Sequence, residues 1–235
     1  MTTKEFSDGF DTLASSYRRF KNFDKKEEFD SIEFNEYEKS LYLTMAQEDI
    51  VVGLYSGKNV YGESFESTEE LRRALECLVT DKSYDNLYAG TGVSDNSVFC
   101  EQPEDLAYII LEQVTFSDTS LGCKDGSIAN VVPVTHDEYM RVRNNPFRGA
   151  TDRKVLRMDA GDGMLELISK YTIGSYYIRY IKVPTPIILE DLPSGVTING
   201  KSEESGCLLP ELLHRLILQR AVQMALASKG VTIKN

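Results

Sequence analysis

The sequence predicts an α+β chain: a helical bundle made from the N- and C-terminal segments, with a β-rich, sandwich- or barrel-like domain inserted between them. Three features carry this. Apolar residues recur at helical spacing through the first eighty or so positions, short β-rich runs broken by Gly, Pro, Asn and Asp follow from about Tyr84 to Ile198, and a long apolar helix closes the chain. The expected domains are residues 1–82 with 205–235 for the helical part and 83–204 for the β-rich part.

In chain order, Phe6, Phe10, Leu13, Ala14 and Tyr17 mark a first helix from about Glu5 to Phe20, and the charged run Lys21 to Glu28 reads as a solvated linker or helix end. Asn35 is a good N-cap, with Glu38 three residues on to complete a capping box, and the second helix runs to about Tyr55, stopping near Gly57. Its apolar residues form two stripes. Tyr37, Leu41, Met45, Val52 and Tyr55 lie on one side; Leu43, Ala46, Ile50 and Leu54 lie nearly opposite. A helix with one wet face needs a single stripe, so two predict neighbours on both sides. Ser67 or Thr68 caps a third helix carrying Leu71, Leu75 and Leu78 and ending near Thr80.

Expected strands are Ser97–Glu101, Leu106–Phe116, Ile128–Val134, Lys154–Asp159, Met164–Ser169, Tyr176–Val183 and Ile187–Leu189. The run Ala160-Gly161-Asp162-Gly163 predicts a hairpin turn, and Thr135 with Glu138 predicts a capped short helix across Tyr139 to Arg143. Pro184 and Pro186 make their stretch extended or a sheet edge. The last helix, about Leu209 to Lys229, has Pro210 in its first turn and Gly230 as its stop. Projected at about 100° per residue its apolar side chains point almost everywhere, which requires cover almost everywhere.

The 235 residues suffice for a sizeable core, and 41% hydrophobic with 27% charged residues is an ordinary globular composition. The formal net charge of −11 lacks the basic footprint of a protein that grips nucleic acid. Cys77, Cys100, Cys123 and Cys207 are scattered without a CxxC pair, which reads as free thiols in a reducing compartment rather than a disulfide framework or zinc site. Met1 to Phe10 has no basic-then-apolar pattern, so no signal peptide is expected, and no apolar run reaches the roughly 18 residues of a membrane span.

No motif for catalysis emerges. His136 and His214 are the two histidines, and neither adjoins a strained nucleophile. Gly90-Thr91-Gly92 lacks the third glycine and following helix of a phosphate loop, and Asp159 to Gly163 lacks the later acids of a calcium loop. No catalytic, cofactor-binding or metal residue is assigned. One basic cluster, Arg141, Arg143, Arg148, Arg153, Lys154 and Arg157, surrounds the turn Asn144-Asn145-Pro146-Phe147. It reads as pairing with Asp137, Glu138, Asp152 and Asp159, or as a contact with phosphate or an acidic partner; pairing or an acidic neighbour, including an identical copy, is favoured over nucleic acid. The candidate interface residues are Tyr37, Leu41, Met45 and Val52; Arg141, Arg143, Arg148 and Arg153; and Leu213, Ile217 and Met224.

Four segments also carry a resemblance. Asn35-Glu36-Tyr37-Glu38-Lys39-Ser40-Leu41-Tyr42-Leu43-Thr44-Met45-Ala46-Gln47-Glu48, Arg143-Asn144-Asn145-Pro146-Phe147-Arg148-Gly149, Tyr180-Ile181-Lys182-Val183-Pro184-Thr185-Pro186-Ile187-Ile188-Leu189 and Cys207-Leu208-Leu209-Pro210-Glu211-Leu212-Leu213-His214 resemble stretches of structural proteins of crAss-like and related podoviral phages. In that order the chain is similar to neck ring proteins, the head–tail adaptor or gatekeeper class related to the tail tubular proteins of short-tailed phages. The resemblance implies a virion protein made in the host bacterial cytoplasm, without cofactor or membrane. It implies a dodecameric ring docked under the portal, with further neck or tail proteins as partners and DNA passing through the lumen. The competing expectation is a cytosolic enzyme or a monomeric protein-binding module whose site carries no recognisable motif.

Overall fold

The computed structural model describes residues 1–21, 33–58 and 62–230, with the side chains of residues 17–21 outside the description; most of the expected linker Lys21 to Glu28, and the Tyr17 side chain, lie outside it. The chain is mixed α+β, with helices at both ends and one eight-stranded sheet. It divides into two compact units, Met1–Leu78 with Pro184–Asn235, and Val79–Val183.

The first unit holds α1 (Thr3–Lys21), α2 (Glu36–Ser56), α3 (Glu69–Leu75) and, after the sheet, the last helix. Asn35 and Glu38 form the expected capping box on α2, and Gly57, at φ 78°, ends it in the left-handed conformation. Thr68 caps α3, which stops at Leu75 and passes through a short 3-10 turn, Glu76–Leu78. The expected run of this helix to Thr80 is therefore too long. Val79 to Tyr84 is instead an edge strand whose charged Asp81 and Lys82 blunt its open side.

The segment after the sheet settles onto α2. Ile187–Leu189, expected as a strand, is extended, but its hydrogen bonds go mainly to a helix. Gln47 Nε2 donates to the Thr185 carbonyl at 2.8 Å, Thr44 Oγ1 accepts from the Ile187 amide at 3.1 Å, and Ser40 Oγ accepts from the Leu189 amide at 3.0 Å. On the other edge Ile188 exchanges both backbone bonds with Ser205, whose hydroxyl donates to the Pro186 carbonyl. Every backbone N–H from 185 to 189 that can donate, apart from Thr185, thus has a named partner, and Pro186 has none to place.

In the second unit the strands are β1 (Val79–Tyr84), β2 (Tyr88–Ala89), β3 (Ser97–Glu101), β4 (Leu106–Phe116), β5 (Ile128–Pro133), β6 (Lys154–Gly161), β7 (Met164–Ile168) and β8 (Ile173–Lys182), in the order β1-β8-β4-β5-β6-β7-β3-β2. Neighbours pair antiparallel except β5 and β6, which α4 (His136–Val142) joins as a crossover. The predicted β6–β7 hairpin is present: Asp162 and Gly163 have φ of 48° and 72°, the positive pair that an Asp-Gly two-residue turn supplies.

The sheet is curled rather than split into two packed layers. Tyr84 of β1 stacks on Tyr176 of β8 at 5.8 Å and packs against the same buried cluster as Cys100 of β3, although β1 and β3 stand far apart in the strand order. Val114, Phe116, Val155, Leu165, Leu167 and Ile178 fill the concave side. The opposite side of β6 and β7 presents Leu156, Met158 and Ile168 to Tyr139 and Val142 of α4. Inside the core the Tyr176 hydroxyl donates to Glu112 at 2.5 Å, and Arg157 reaches the same carboxylate at 3.2 Å. A buried carboxylate left without these partners costs about 3–5 kcal/mol.

Thr44→Val keeps the shape of the side chain but leaves the buried Ile187 amide without its acceptor. Urea unfolding is expected to show a loss of about 1–3 kcal/mol relative to the unchanged chain, and a neutral result would mean that Thr44 does not seat the 185–189 segment.

Candidate functional site

The surfaces that invite partners are built from the capped helices upward. On α2 three lengthwise zones run in parallel. Leu43, Ala46, Ile50 and Leu54, the second expected stripe, are buried. The polar row Ser40, Thr44 and Gln47 is buried against the 185–189 segment. The first expected stripe is the one left outside, with Met45 45% and Val52 43% exposed, Tyr37 at the edge of exposure and Leu41 half-buried.

The last helix, α5 (Glu211–Ser228), is covered more on one side than its sequence predicts. Leu213, His214, Ile217, Leu218, Ala221, Val222, Ala225 and Leu226 are buried in a broad continuous face, so Leu213 and Ile217 are core residues of the chain rather than free surface. Apolar residues do remain outside: Leu212 is 88% and Leu216 52% exposed, and Met224 is half-buried. His214 is structural, with Nε2 2.8 Å from the Leu209 carbonyl, Nδ1 2.8 Å from the N-terminal amine, and its ring against Phe6.

α2 and α5 run antiparallel. Tyr42 Oη meets Ser228 Oγ, Asp49 pairs with Arg220 at 2.8 Å, and Glu38 pairs with Lys229. This register sets Val52 level with Leu216 and Met45 level with Met224. Asp49 shares its face of α2 with Met45 and Val52, and Arg220 shares its face of α5 with Leu216 and Met224. The Asp49–Arg220 pair therefore bridges the two helices across one outward face, with Met45 and Met224 on one side of it and Val52 and Leu216 on the other. Beneath it α1 is fastened by Lys39, a buried ammonium that reaches Asp11 at 2.7 Å and Glu36 at 2.8 Å. Burial lowers the Lys39 pKa, but these two carboxylates outweigh it and raise it above its ordinary value.

The basic cluster resolves into two groups. Arg148 pairs with Glu138 at 2.6 Å, Arg157 is bound to Glu112, and Lys154 donates to the Phe147 carbonyl at 2.8 Å. Arg141, Arg143 and Arg153 are exposed, and among the described residues none has an acidic partner within 4.0 Å. Asp152 is taken by Lys124 instead. Phe147, between these arginines in sequence, is 88% exposed. Sequence reasoning singled out the arginines but not this phenylalanine; the signal available was an aromatic residue in an otherwise polar turn.

The glycine run has a structural role, whereas His136 is exposed at the start of α4. A Cβ on Gly92 would lie 2.1 Å from the buried Glu166 carboxylate, which accepts from the Val93 amide, so the Gly90–Gly92 loop wraps a core acid rather than a phosphate. A shallow open cleft is lined by Thr135, His136, Glu138, Arg157 and Asp159, but Thr135 caps α4, and Glu138 and Arg157 are in the pairs just described. Among the described residues no group of three or more His, Cys, Asp or Glu is placed to hold a metal ion, and no helix is long and apolar enough to cross a membrane.

Outward apolar rows on helices, and arginines with no acidic partner among the described residues near an exposed aromatic, are features of a structural assembly subunit. The chain belongs to the phage tail ring protein 3/4 family, whose model matches residues 1–235. It is 48% identical to ring protein 3 of Bacteroides phage crAss001 over 231 residues, 97% of this chain and 96% of that one, and 33% identical to ring protein 4/5 of the same phage, over 97% and 93% of the two chains. It is a structural phage ring protein and not an enzyme.

The four thiols differ in a way that checks the fold. Cys77 and Cys123 are exposed, Cys207 is partly buried with its pKa pushed up to about 11, and Cys100 lies in the sheet core with its pKa pushed up to about 12, burial being the main cause for both. Titration with a disulfide-exchange reagent at neutral pH is expected to modify Cys77 and Cys123 rapidly, Cys207 slowly, and Cys100 only on unfolding. Fast reaction at Cys100 would contradict the sheet's curl.

Proposed function

We propose that this chain forms a dodecameric ring in the neck of a short-tailed phage particle, joining the portal to further neck or tail proteins and leaving an axial passage for DNA. The observation that carries the reading is the α2–α5 face, where Tyr37, Leu41, Met45 and Val52 stand beside Leu212, Leu216 and Met224, none of them fully covered by the described residues. Each large apolar side chain moved out of water contributes up to about 1.5–3 kcal/mol, so a row of them supports a lasting subunit contact. In this reading the helical unit is the ring-forming domain. Membership of a ring protein family and near full-length similarity to two ring proteins support it.

The net charge of −11 supports a passage role for the ring. Acidic groups facing a lumen repel phosphates and let DNA slide without being trapped, whereas a basic lumen would hold it by counterion release.

Reconstruction of the neck by electron cryomicroscopy tests the assignment: the chain is expected as a ring coaxial with the portal and with an acidic lumen, and its absence from particles would end the reading. Met45→Asp and Leu216→Asp, both at solvent-facing positions, are expected to abolish ring assembly while changing the stability of the subunit by no more than about 0.5 kcal/mol. Sedimentation and thermal unfolding of the same samples separate the two effects.

A further inference from the structure

The turn after α4 is more highly ordered than solvent exposure alone requires. Asn145 Oδ1 accepts from the amides of Phe147 at 2.9 Å and Arg148 at 3.2 Å, its carbonyl accepts from the Gly149 amide at 2.7 Å, and its own amide donates to the Val142 carbonyl at 2.9 Å. Lys154 holds the Phe147 carbonyl, and Arg148 is tied back to Glu138. The ends of the turn are pinned in the core by Val142 and Ala150. Gly149 admits no side chain: a Cβ there would lie 2.8 Å from the Asn145 carbonyl and 3.1 Å from that of Val142. All this backbone order presents one side chain, Phe147, 88% exposed, with exposed Met140, Arg141 and Arg143 on the preceding helical turn. Fixing an aromatic residue in advance lowers the ordering cost of docking it, and Phe and Met beside Arg make a composition enriched where proteins meet.

We propose that this turn is a preformed aromatic peg that inserts into the acidic surface of a second copy of the chain, with Phe147 as the anchor and Arg141 and Arg143 as its charged guides. The inference rests on the ring reading and deepens it. Contacts between identical subunits in a closed ring join two unlike patches, so a basic peg on one copy meets a different, acidic area on the next. The charge complement is available: the chain carries 37 acidic against 26 basic side chains, and Arg141 and Arg143 have no acidic partner of their own among the described residues. A nucleic-acid partner fits less well, because phosphate contacts use the arginines but leave the bare Phe147 and Met140 side chains in water.

The test uses the full chain, with a photo-crosslinking phenylalanine analogue at position 147 and, separately, Phe147→Asp and the pair Arg141→Glu with Arg143→Glu. The analogue is expected to yield covalent links between copies of the chain. Phe147→Asp is expected to weaken self-association by a factor of about 30 or more, the scale of an aromatic anchor. The arginine pair is expected to weaken it and to flatten its salt dependence. Because all three positions are solvent-facing, thermal unfolding of each variant should match the unchanged chain. Variants that associate as the unchanged chain does, or an analogue that links only to DNA, to another protein or to nothing, would overturn the peg while leaving a ring in the neck possible. Absence of the chain from particles would instead remove the ring reading itself.

Discussion

The buried polar row Ser40, Thr44 and Gln47 decides how the helical unit is arranged. An extended segment that leaves a sheet and pairs with no full strand has backbone groups to satisfy away from water, and here three side chains one helical turn apart satisfy them. That requirement sets the rotation of α2 about its own axis. With the polar row turned to residues 185–189 and Leu43, Ala46, Ile50 and Leu54 turned into the unit, the remaining side of the helix is the one carrying Met45 and Val52. The outward apolar stripe is thus a consequence of an internal hydrogen-bonding constraint. Slipping α2 by one residue would break the row and hide the stripe together.

The two units solve burial differently. The sheet unit curls one sheet until its concave side closes over Tyr176 and its neighbours, placing a carboxylate, a phenol and a guanidinium together in the core. Burial raises the Glu112 pKa, while Arg157 and the Tyr176 hydroxyl pull it down. The short α4 covers the opposite side and at the same time carries the exposed turn at its end, so the packing of Tyr139 and Val142 positions Phe147. In both units the parts that face outward are oriented by contacts that face inward.

Much of this was legible in the sequence where the determinants are local. The capping box of Asn35 and Glu38, the Gly57 stop, the Asp162-Gly163 turn and six of the strands are set by residues within a few positions of one another. What escaped depends on residues far apart. Ser40, Thr44 and Gln47 look like ordinary polar helix residues until the segment some 140 positions later arrives beside them. Ile187–Leu189 has strand composition but receives a helix as its main partner. β1 was hidden because an edge strand can be polar on both sides, so Val79 to Tyr84 shows no alternation to read. For the outward surfaces, periodicity picked out the α2 stripe, but it overstated the exposure of Leu213 and Ile217 because an apolar residue looks alike whether its neighbour is its own chain or another.

The Asp49–Arg220 pair, described above as the link between two helices, has a further consequence for the life of the free subunit. It interrupts the apolar area, dividing one broad greasy surface into two smaller ones separated by hydrated charge. Between synthesis and incorporation a subunit meets many unrelated hydrophobic surfaces. A divided face gives a weak hold on all of them, and only a partner that engages both halves at once and also accommodates the ion pair gains the full interaction. On the proposed subunit contact, colloidal stability before assembly and fidelity during it would then be two results of the same pair of side chains.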